Sequence, residues 1–379
     1  MAPVNPWPAA EILQEWRSIL DLMDRPEAHT DFSPALLEAV RRNRMEALIY
    51  QRFAERGIPP PAWAAQPLKA ASYARRYFYE RYRDLALDLY ARFADARIPC
   101  LFVKGIVVAP WFYNPPYLRP FADIDVIVPF EAVERGTSIL EALEFEALHR
   151  RELSRREREY IHALEFIHRG DSNLSVELHH DLGVYSFHPG WHRKPAYHAL
   201  SPGEGLPTLA LEAHVLFLCA HLYYRHYTQA HLIWLHDIHE AVTRYRGCFN
   251  WEAFRRLAER TGWGRGAARV LSALEIYPDW APPETCRGLE DVPSLRELVH
   301  LPREKFDLFV AMGGYIPTWR GRLAFLMFHL CPPKAVLVQR YRLHHPSLWF
   351  LCYPLRWADI TVRGTGWALR RLFKGGPPA

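Results

Sequence analysis

A chain of 379 residues, half of them hydrophobic and 23% charged, is long enough for two to three domains and too apolar for a solvated tail or a fibrous repeat. Its longest run without Asp, Glu, Lys or Arg is the 14 residues from Gly105 to Leu118, broken by Pro110, Pro115 and Pro116, so no conventional membrane-spanning helix fits. The formal charge of +5 is uneven: from Trp319 onward ten basic residues face Asp359 alone, which leaves the preceding chain net acidic.

Six scattered cysteines (Cys100, Cys219, Cys248, Cys286, Cys331 and Cys352) have no C-x-x-C spacing, which argues against a zinc knuckle or a dense disulfide frame. The first residues lack the basic start and apolar core of a secretion signal. Together these predict reduced thiols and a cytoplasmic protein.

Residues 1–95 read as a helical region. Ser33 and Pro34 supply a cap and a favoured first-turn residue, and Leu37, Val40, Arg44, Leu48 and Ile49 continue at helical spacing. Pro59, Pro60 and Pro61 end that unit, and Phe78, Tyr82, Leu85 and Leu89 then mark one face of a helix predicted over about 66–96. In residues 96–200 the period changes to that of an α/β core. Strands are predicted over 98–103, 124–128, 164–168 and 174–179, helices over 106–113 and 130–143, and a hairpin turn at Gly170-Asp171-Ser172-Asn173. Residues 201–300 return to helix, and residues 301–379 form a basic, aromatic-rich C-terminal region.

The chemistry is concentrated in two segments, LFVKG at residues 101–105 and RPFADIDVIVP at residues 119–129. Alternation along a strand puts Asp123 and Asp125 on one face, with Ile124 and Val126 on the other. Two carboxylates that close repel, and a divalent cation between them relieves the repulsion, so a Mg²⁺ site is expected. Glu177 shares its strand face with Ser175 and His179. If that strand lies beside the Asp-x-Asp strand, Glu177 completes a three-carboxylate cluster able to hold two metals. Lys104-Gly105 closes the first strand where a helix begins, a place that offers backbone N–H groups and a cation to phosphate oxygens. Arg119 is within reach of the same cleft as a forked phosphate ligand.

This pattern resembles the uncharacterised bacterial nucleotidyltransferases of the DNA-polymerase-β superfamily: a strand ending in Lys104-Gly105, a loop with Arg119, the Asp123-Ile124-Asp125 strand, and later Glu177-Leu178-His179. The helical stretch with Leu216 to His221 and Trp234-Leu235-His236-Asp237-Ile238 extends the likeness. In the wider superfamily the first strand closes with Gly-Ser or Gly-Gly, and here Lys104 stands in place of the first small residue. The resemblance implies an α+β fold, a polymerase-β-type core of short mixed sheet and helices with helical regions on both flanks. It also implies transfer of a nucleoside monophosphate from an NTP, with ATP the expected one, to a hydroxyl-bearing acceptor, with release of pyrophosphate. Asp123, Asp125 and Glu177 would be the catalytic metal ligands for two Mg²⁺ ions, or Mn²⁺ in their place. Lys104, Gly105, Arg119 and His179 would contact the nucleotide and its phosphates. The acceptor is expected to be a small molecule, peptide or protein rather than nucleic acid.

Two other readings stand beside this one. A nucleotidyltransferase fold without activity would act as a binding or scaffold module. The pairs His179-His180-Asp181 and His236-Asp237 match the His-Asp element of metal-dependent phosphohydrolases, although that fold needs a helix where His179 is expected on a strand. His214 and His221 read as core histidines, the basic-aromatic stretch from Tyr73 to Tyr82 as a solvated helix face, and Arg169-Gly170-Asp171 as a hairpin turn. At the C-terminus, Trp349, Phe350, Trp357, Trp367, Leu369, Leu372 and Phe373 alternate with Arg356, Arg363, Arg370 and Arg371. Such a mixture suits peripheral contact with an anionic membrane or an acidic partner.

Overall fold

The computed structural model describes residues 9–28, 32–148, 163–180, 182, 198–200, 205–225, 231–281, 319–332, 334, 337–338, 341 and 346–373. The chain divides into two compact units, residues 1–149 with 163–301, and residues 150–162 with 302–379.

The first unit begins with α1 (Ala9–Asp24) and α2 (Pro34–Arg42). As expected from its sequence, the Ser33 hydroxyl accepts the Leu36 N–H at 3.2 Å and Pro34 occupies the first turn. The helical spacing through Ile49 is not one helix. Arg44 takes a φ of +61°, which no α-helix admits, and α3 (Glu46–Glu55) starts afresh beyond it. The break folds α3 back against α1 and α2. After the three prolines, α4 (Ala62–Asp95) runs for 34 residues. Its buried stripe is Tyr79, Tyr82, Ala86, Leu89 and Phe93, at steps of three and four, so Phe78 lies beside the stripe rather than on it.

The core follows as β1 (Leu101–Val103), α5 (Gly105–Phe112), β2 (Ile124–Ile127), α6 (Val133–Ala142), β3 (Phe145–Ala147), β4 (Ala163–His168) and β5 (Asp171–His179). One mixed sheet results, in the order β1-β2-β5-β4-β3, with β2 and β5 parallel and the other neighbours antiparallel. The strand β3 was not expected, because its three residues, with only Phe145 buried, are too short to show a period. Strand β2, between β1 and β5, is buried throughout, so Ile124 and Val126 serve the core while Asp125 sits fully enclosed on the other face. On α6, Gly136 lets the helix lie against Leu178, whose side chain would stand 3.2 Å from any Cβ there.

A short ribbon, β6 (His198–Leu200) with β7 (Pro207–Leu209), precedes the helices α7 (Leu211–Arg225), α8 (Leu232–Arg244), α9 (Trp251–Thr261) and α10 (Gly264–Ala273). Gly262 at φ +73° closes α9 in the left-handed conformation usual for a helix end. The fold is thus α+β, a five-stranded mixed sheet with helices before and after it.

The second unit contains α11 (Trp319–Leu330) and α12 (Cys352–Phe373). Arg356 is buried and its Nε donates to the His329 carbonyl at 2.5 Å, while Trp357 Nε1 donates to Leu330 O at 2.9 Å. These two residues therefore hold α12 to the end of α11. Phe350, Leu351, Leu355 and Val362 are each more than half exposed. The side chains of Arg363, Trp367, Leu369, Arg370, Arg371, Leu372 and Phe373 lie outside the described residues. No helix among the described residues is long and apolar enough to cross a membrane.

Candidate active site

The sheet register assembles the site. Asp125 pairs with Val103 across the β1–β2 ladder and with Glu177 across the β2–β5 ladder, so the end of β1 and two carboxylates meet at one point. Ligand atoms of Asp125, Glu177 and His179 all lie within 4.8 Å of one another. Lys104 Nζ donates to Asp125 Oδ1 at 2.6 Å and stands 3.7 Å from Glu177 Oε2. His179 Nε2 lies 2.8 Å from Asp125 Oδ1 and 3.1 Å from Glu177 Oε2, so its ring bridges the two carboxylates. Asp125 is wholly enclosed, whereas the side chains of Lys104 and Glu177 remain 18% and 22% exposed, so the cluster opens on their side. Asp125 Oδ2 is buried and has no hydrogen-bond partner. A buried carboxylate oxygen left unpaired is costly, and a cation ligand position explains it.

The charges of the cluster act on one another across short distances. Burial opposes ionisation of Asp125, but Lys104 and His179 hold its pKa far below the usual carboxylate range. Asp123 immediately precedes β2, and burial together with the Asp125 charge pushes its pKa up to about 7. Without a cation, Asp123 therefore tends to keep its proton. The ammonium of Lys104, despite its burial, is kept charged by Asp125, Glu177 and Asp123, and hydrogen bonds to Asp125 and Glu177 likewise outweigh burial at His179 and raise its pKa. The structure brings Asp125 and Glu177 together with His179, and Asp123 lies near enough to feel the Asp125 charge; the hard carboxylate oxygens of these three acids, with Asp125 Oδ2 unpaired, fit a divalent cation such as Mg²⁺.

Lys104 is presented by an unusual backbone. Its φ of +57° and ψ of −136° are uncommon for a residue with a side chain, and they turn the chain from β1 directly into α5. Its N–H donates to His214 Nε2 at 3.3 Å. His214 Nδ1 lies 3.3 Å from Thr208 Oγ1, which donates to Phe102 O at 2.7 Å. Burial lowers the His214 pKa to about 3, so the ring is neutral and can accept at Nε2 while donating at Nδ1. His214 is thus the core histidine the sequence suggested, with a task the sequence did not reveal. Neither His214 nor Thr208 belongs to a motif, and only their burial and bonding expose the role. Gly105 is explained by packing, since a Cβ there would fall 2.3 Å from Phe121 Cβ.

Arg119 lies apart from the carboxylate cluster in its bonding. It is buried, and its Nε and Nη2 fork onto Asp237, with Nη2 2.6 Å from Oδ2, while Nη1 donates to Pro120 O at 2.8 Å. Tyr113 OH donates to Asp237 Oδ1 at 2.7 Å. In the structure Arg119 therefore fastens the loop before β2 to α8 instead of presenting a free fork to phosphate. The same bonds occupy Asp237, so His236 and Asp237 do not face one ion as a His-Asp phosphohydrolase requires. At the other end of the loop, Tyr82 OH lies 2.5 Å from the carbonyls of both Ala122 and Asn173, pinning the approach to β2 and the start of β5 on α4. The hairpin at Arg169-Gly170-Asp171 is accounted for structurally: Asp171 pairs with Arg81 and Arg169 with Glu146.

The family model described as "Uncharacterised nucleotidyltransferase" matches residues 33–277. No curated protein matches the chain. Among solved structures, the solution structure of the antibiotic-resistance factor ANT(2'')-Ia is similar over 48% of this chain and 91% of its own, at 11% sequence identity and a TM-score of 0.34. With the matched segment running from Ser33, just before α2, across the whole sheet and the helices to Tyr277, the chain belongs to this family of uncharacterised nucleotidyltransferases.

Proposed function

We propose that the chain is a Mg²⁺-dependent enzyme that moves a nucleoside monophosphate from an NTP, ATP the first to test, to a hydroxyl-bearing acceptor and releases pyrophosphate. One observation carries the reading: Glu177 stands in register with Asp125, whose Oδ2 is buried and unpartnered, beside an Asp123 that resists ionisation. Asp123, Asp125 and Glu177 are the residues that would hold two Mg²⁺ ions, with Mn²⁺ able to substitute. Bound there, such ions would acidify the acceptor hydroxyl and neutralise charge on the triphosphate.

The chain's own residues supply the rest. The acceptor oxygen attacks the α-phosphorus, its proton passes to solvent water, and the bond to the pyrophosphate oxygen breaks. Lys104 supplies a fixed positive charge beside the carboxylates, where the phosphates must lie. His179, bonded to both Asp125 and Glu177, keeps the carboxylates in one orientation. Arg119 acts by holding the loop before β2 in place through Asp237. A small molecule, peptide or protein is the expected acceptor. For the second unit, the exposed Phe350, Leu355 and Val362 together with the basic sequence support peripheral contact with an anionic surface. Pelleting with anionic vesicles at low salt tests this, and a protein left wholly in the supernatant would remove it.

The central experiment measures Mg²⁺-dependent binding and turnover of labelled NTPs by the whole chain and by an Asp123→Asn, Asp125→Asn variant. The expected result is a loss of metal-dependent nucleotide binding and of pyrophosphate release, on the order of 10²-fold or more. Equal Mg²⁺-dependent nucleotide affinity in both proteins would overturn the assignment.

A further inference from the structure

A second ligand cluster lies on α8, away from the carboxylates of β2 and β5. His236, His239 and Glu240 share one face of the helix at i, i+3 and i+4, and their ligand atoms lie within 4.8 Å of one another. His236 Nε2 is 3.6 Å and His239 Nδ1 3.8 Å from Glu240 Oε1. These separations are too long for hydrogen bonds and suit three ligands converging on an ion between them. His239 is 6% exposed, and its Nδ1 is a buried polar atom with no hydrogen-bond partner.

The opposite nitrogen of each ring is already engaged. His236 Nδ1 lies 3.2 Å from Tyr277 OH, and His239 Nε2 lies 3.1 Å from Asp279 Oδ1. At His239 the Asp279 carboxylate on the far nitrogen fixes the tautomer that leaves the Nδ1 lone pair free, an arrangement usual behind metal-bound histidines, and at His236 the Tyr277 hydroxyl is placed to accept from Nδ1 in the same way. Tyr277 stacks on His239 with ring centroids 3.8 Å apart, which fixes the ring plane.

We propose that His236 Nε2, His239 Nδ1 and Glu240 hold a divalent ion of the zinc class, distinct from the ions expected at Asp123, Asp125 and Glu177. Two imidazole nitrogens and one carboxylate suit Zn²⁺ and its first-row neighbours, whereas Mg²⁺ and Ca²⁺ prefer all-oxygen cages. Three protein ligands leave one coordination position for water or another group. All three ligands lie on α8, so the ion would act on the segment carrying Tyr277 and Asp279 by strengthening the hydrogen bonds those residues make to the two rings. Since Asp237 of α8 clamps Arg119, it would also stiffen the support of the loop before β2.

Cobalt is the probe, because four- or five-coordinate Co²⁺ in nitrogen–oxygen sites absorbs in the visible. The parent is the whole chain carrying Asp123→Asn and Asp125→Asn, stripped with chelator and titrated with Co²⁺, then with Zn²⁺ as competitor. The expected result is a visible band saturating at one equivalent and displaced by Zn²⁺. His239→Gln, and separately Glu240→Gln at the partly exposed ligand, should weaken Co²⁺ binding at least about tenfold. Far-ultraviolet circular dichroism checks that each variant is folded, and a weakened band in either folded variant supports the site. Absence of the band in the parent overturns the proposal whatever the variants do, as does an affinity unchanged in both variants. Because the parent lacks the catalytic carboxylates, failure here leaves the nucleotidyltransferase reading untouched.

Discussion

His214 shows how one side chain with no place in any motif can govern a site. Its Nε2 accepts the N–H of Lys104, where the backbone takes a φ of +57°, and Thr208 passes the support on to Phe102. Replacing it with Ala leaves the Lys104 N–H without its acceptor, while the Thr208 hydroxyl keeps its bond to Phe102 O, at a cost of about 1–3 kcal/mol in unfolding free energy. The same change lets Lys104 drift from Asp125, so kcat should fall more than stability alone accounts for in the fraction still folded. Denaturant unfolding and steady-state kinetics on His214→Ala check the pair of effects, and a stable variant with unaltered kcat would refute the link. Asp123 carries a second residue-scale prediction. With its pKa pushed up to about 7 by burial and Asp125, a cation must displace a proton from it at lower pH. Mg²⁺ affinity should therefore tighten as pH rises towards about 7 and level off above it. In Asp123→Asn that slope should flatten, which calorimetric Mg²⁺ titration at several pH values reads directly.

At the scale of elements, α8 and the loop before β2 are joined by a buried ion pair between Arg119 and Asp237, closed by Tyr113. Removing one member of such a pair leaves an uncompensated charge, so Asp237→Ala should cost about 3–5 kcal/mol, while the paired Arg119→Met, Asp237→Leu change should cost much less. Chemical denaturation of the three proteins distinguishes a charge-pairing role from mere packing. This pair also marks the limit of what the sequence disclosed. The strands that carry Asp125 and Glu177 were legible because apolar alternation and turn residues are local signals, and the same face for Ser175, Glu177 and His179 follows from the strand period. That β5 would lie parallel and in register against β2 depends on the long crossover through α6, β3 and β4, which no local pattern encodes. Arg119 read as a phosphate ligand because its partner lies 118 positions away on another helix. The break at Arg44 was hidden for the opposite reason, since apolar spacing continued across a turn made by a single backbone angle.

The whole molecule carries several ionisable groups whose burial ties stability to pH, and they pull in opposite directions. His214 and His231, lowered by burial to about 3 and about 4, stay neutral in the folded chain. An unfolded histidine takes up a proton near pH 6.5, so between about 6.5 and 4 the unfolded state binds protons that the folded state refuses. Their contribution is fully present above that range and is lost as pH falls through it. His179 acts the other way: with its pKa raised by the bonds to Asp125 and Glu177, it adds stability at low pH that is lost as pH rises past its folded value. Asp123, protonated up to about 7, has the same sign as His179. The net curve is thus a compromise, and single substitutions separate its parts. In metal-free protein, His214→Gln should be less stable than the parent at pH 7, yet its unfolding free energy should fall less steeply between pH 6 and pH 4. The difference in slope should approach about 1.4 kcal/mol per pH unit, the value for one proton. Urea unfolding at intervals across that range measures both slopes, and parallel curves would mean that His214 is charged in the folded chain and cannot accept the Lys104 N–H as described.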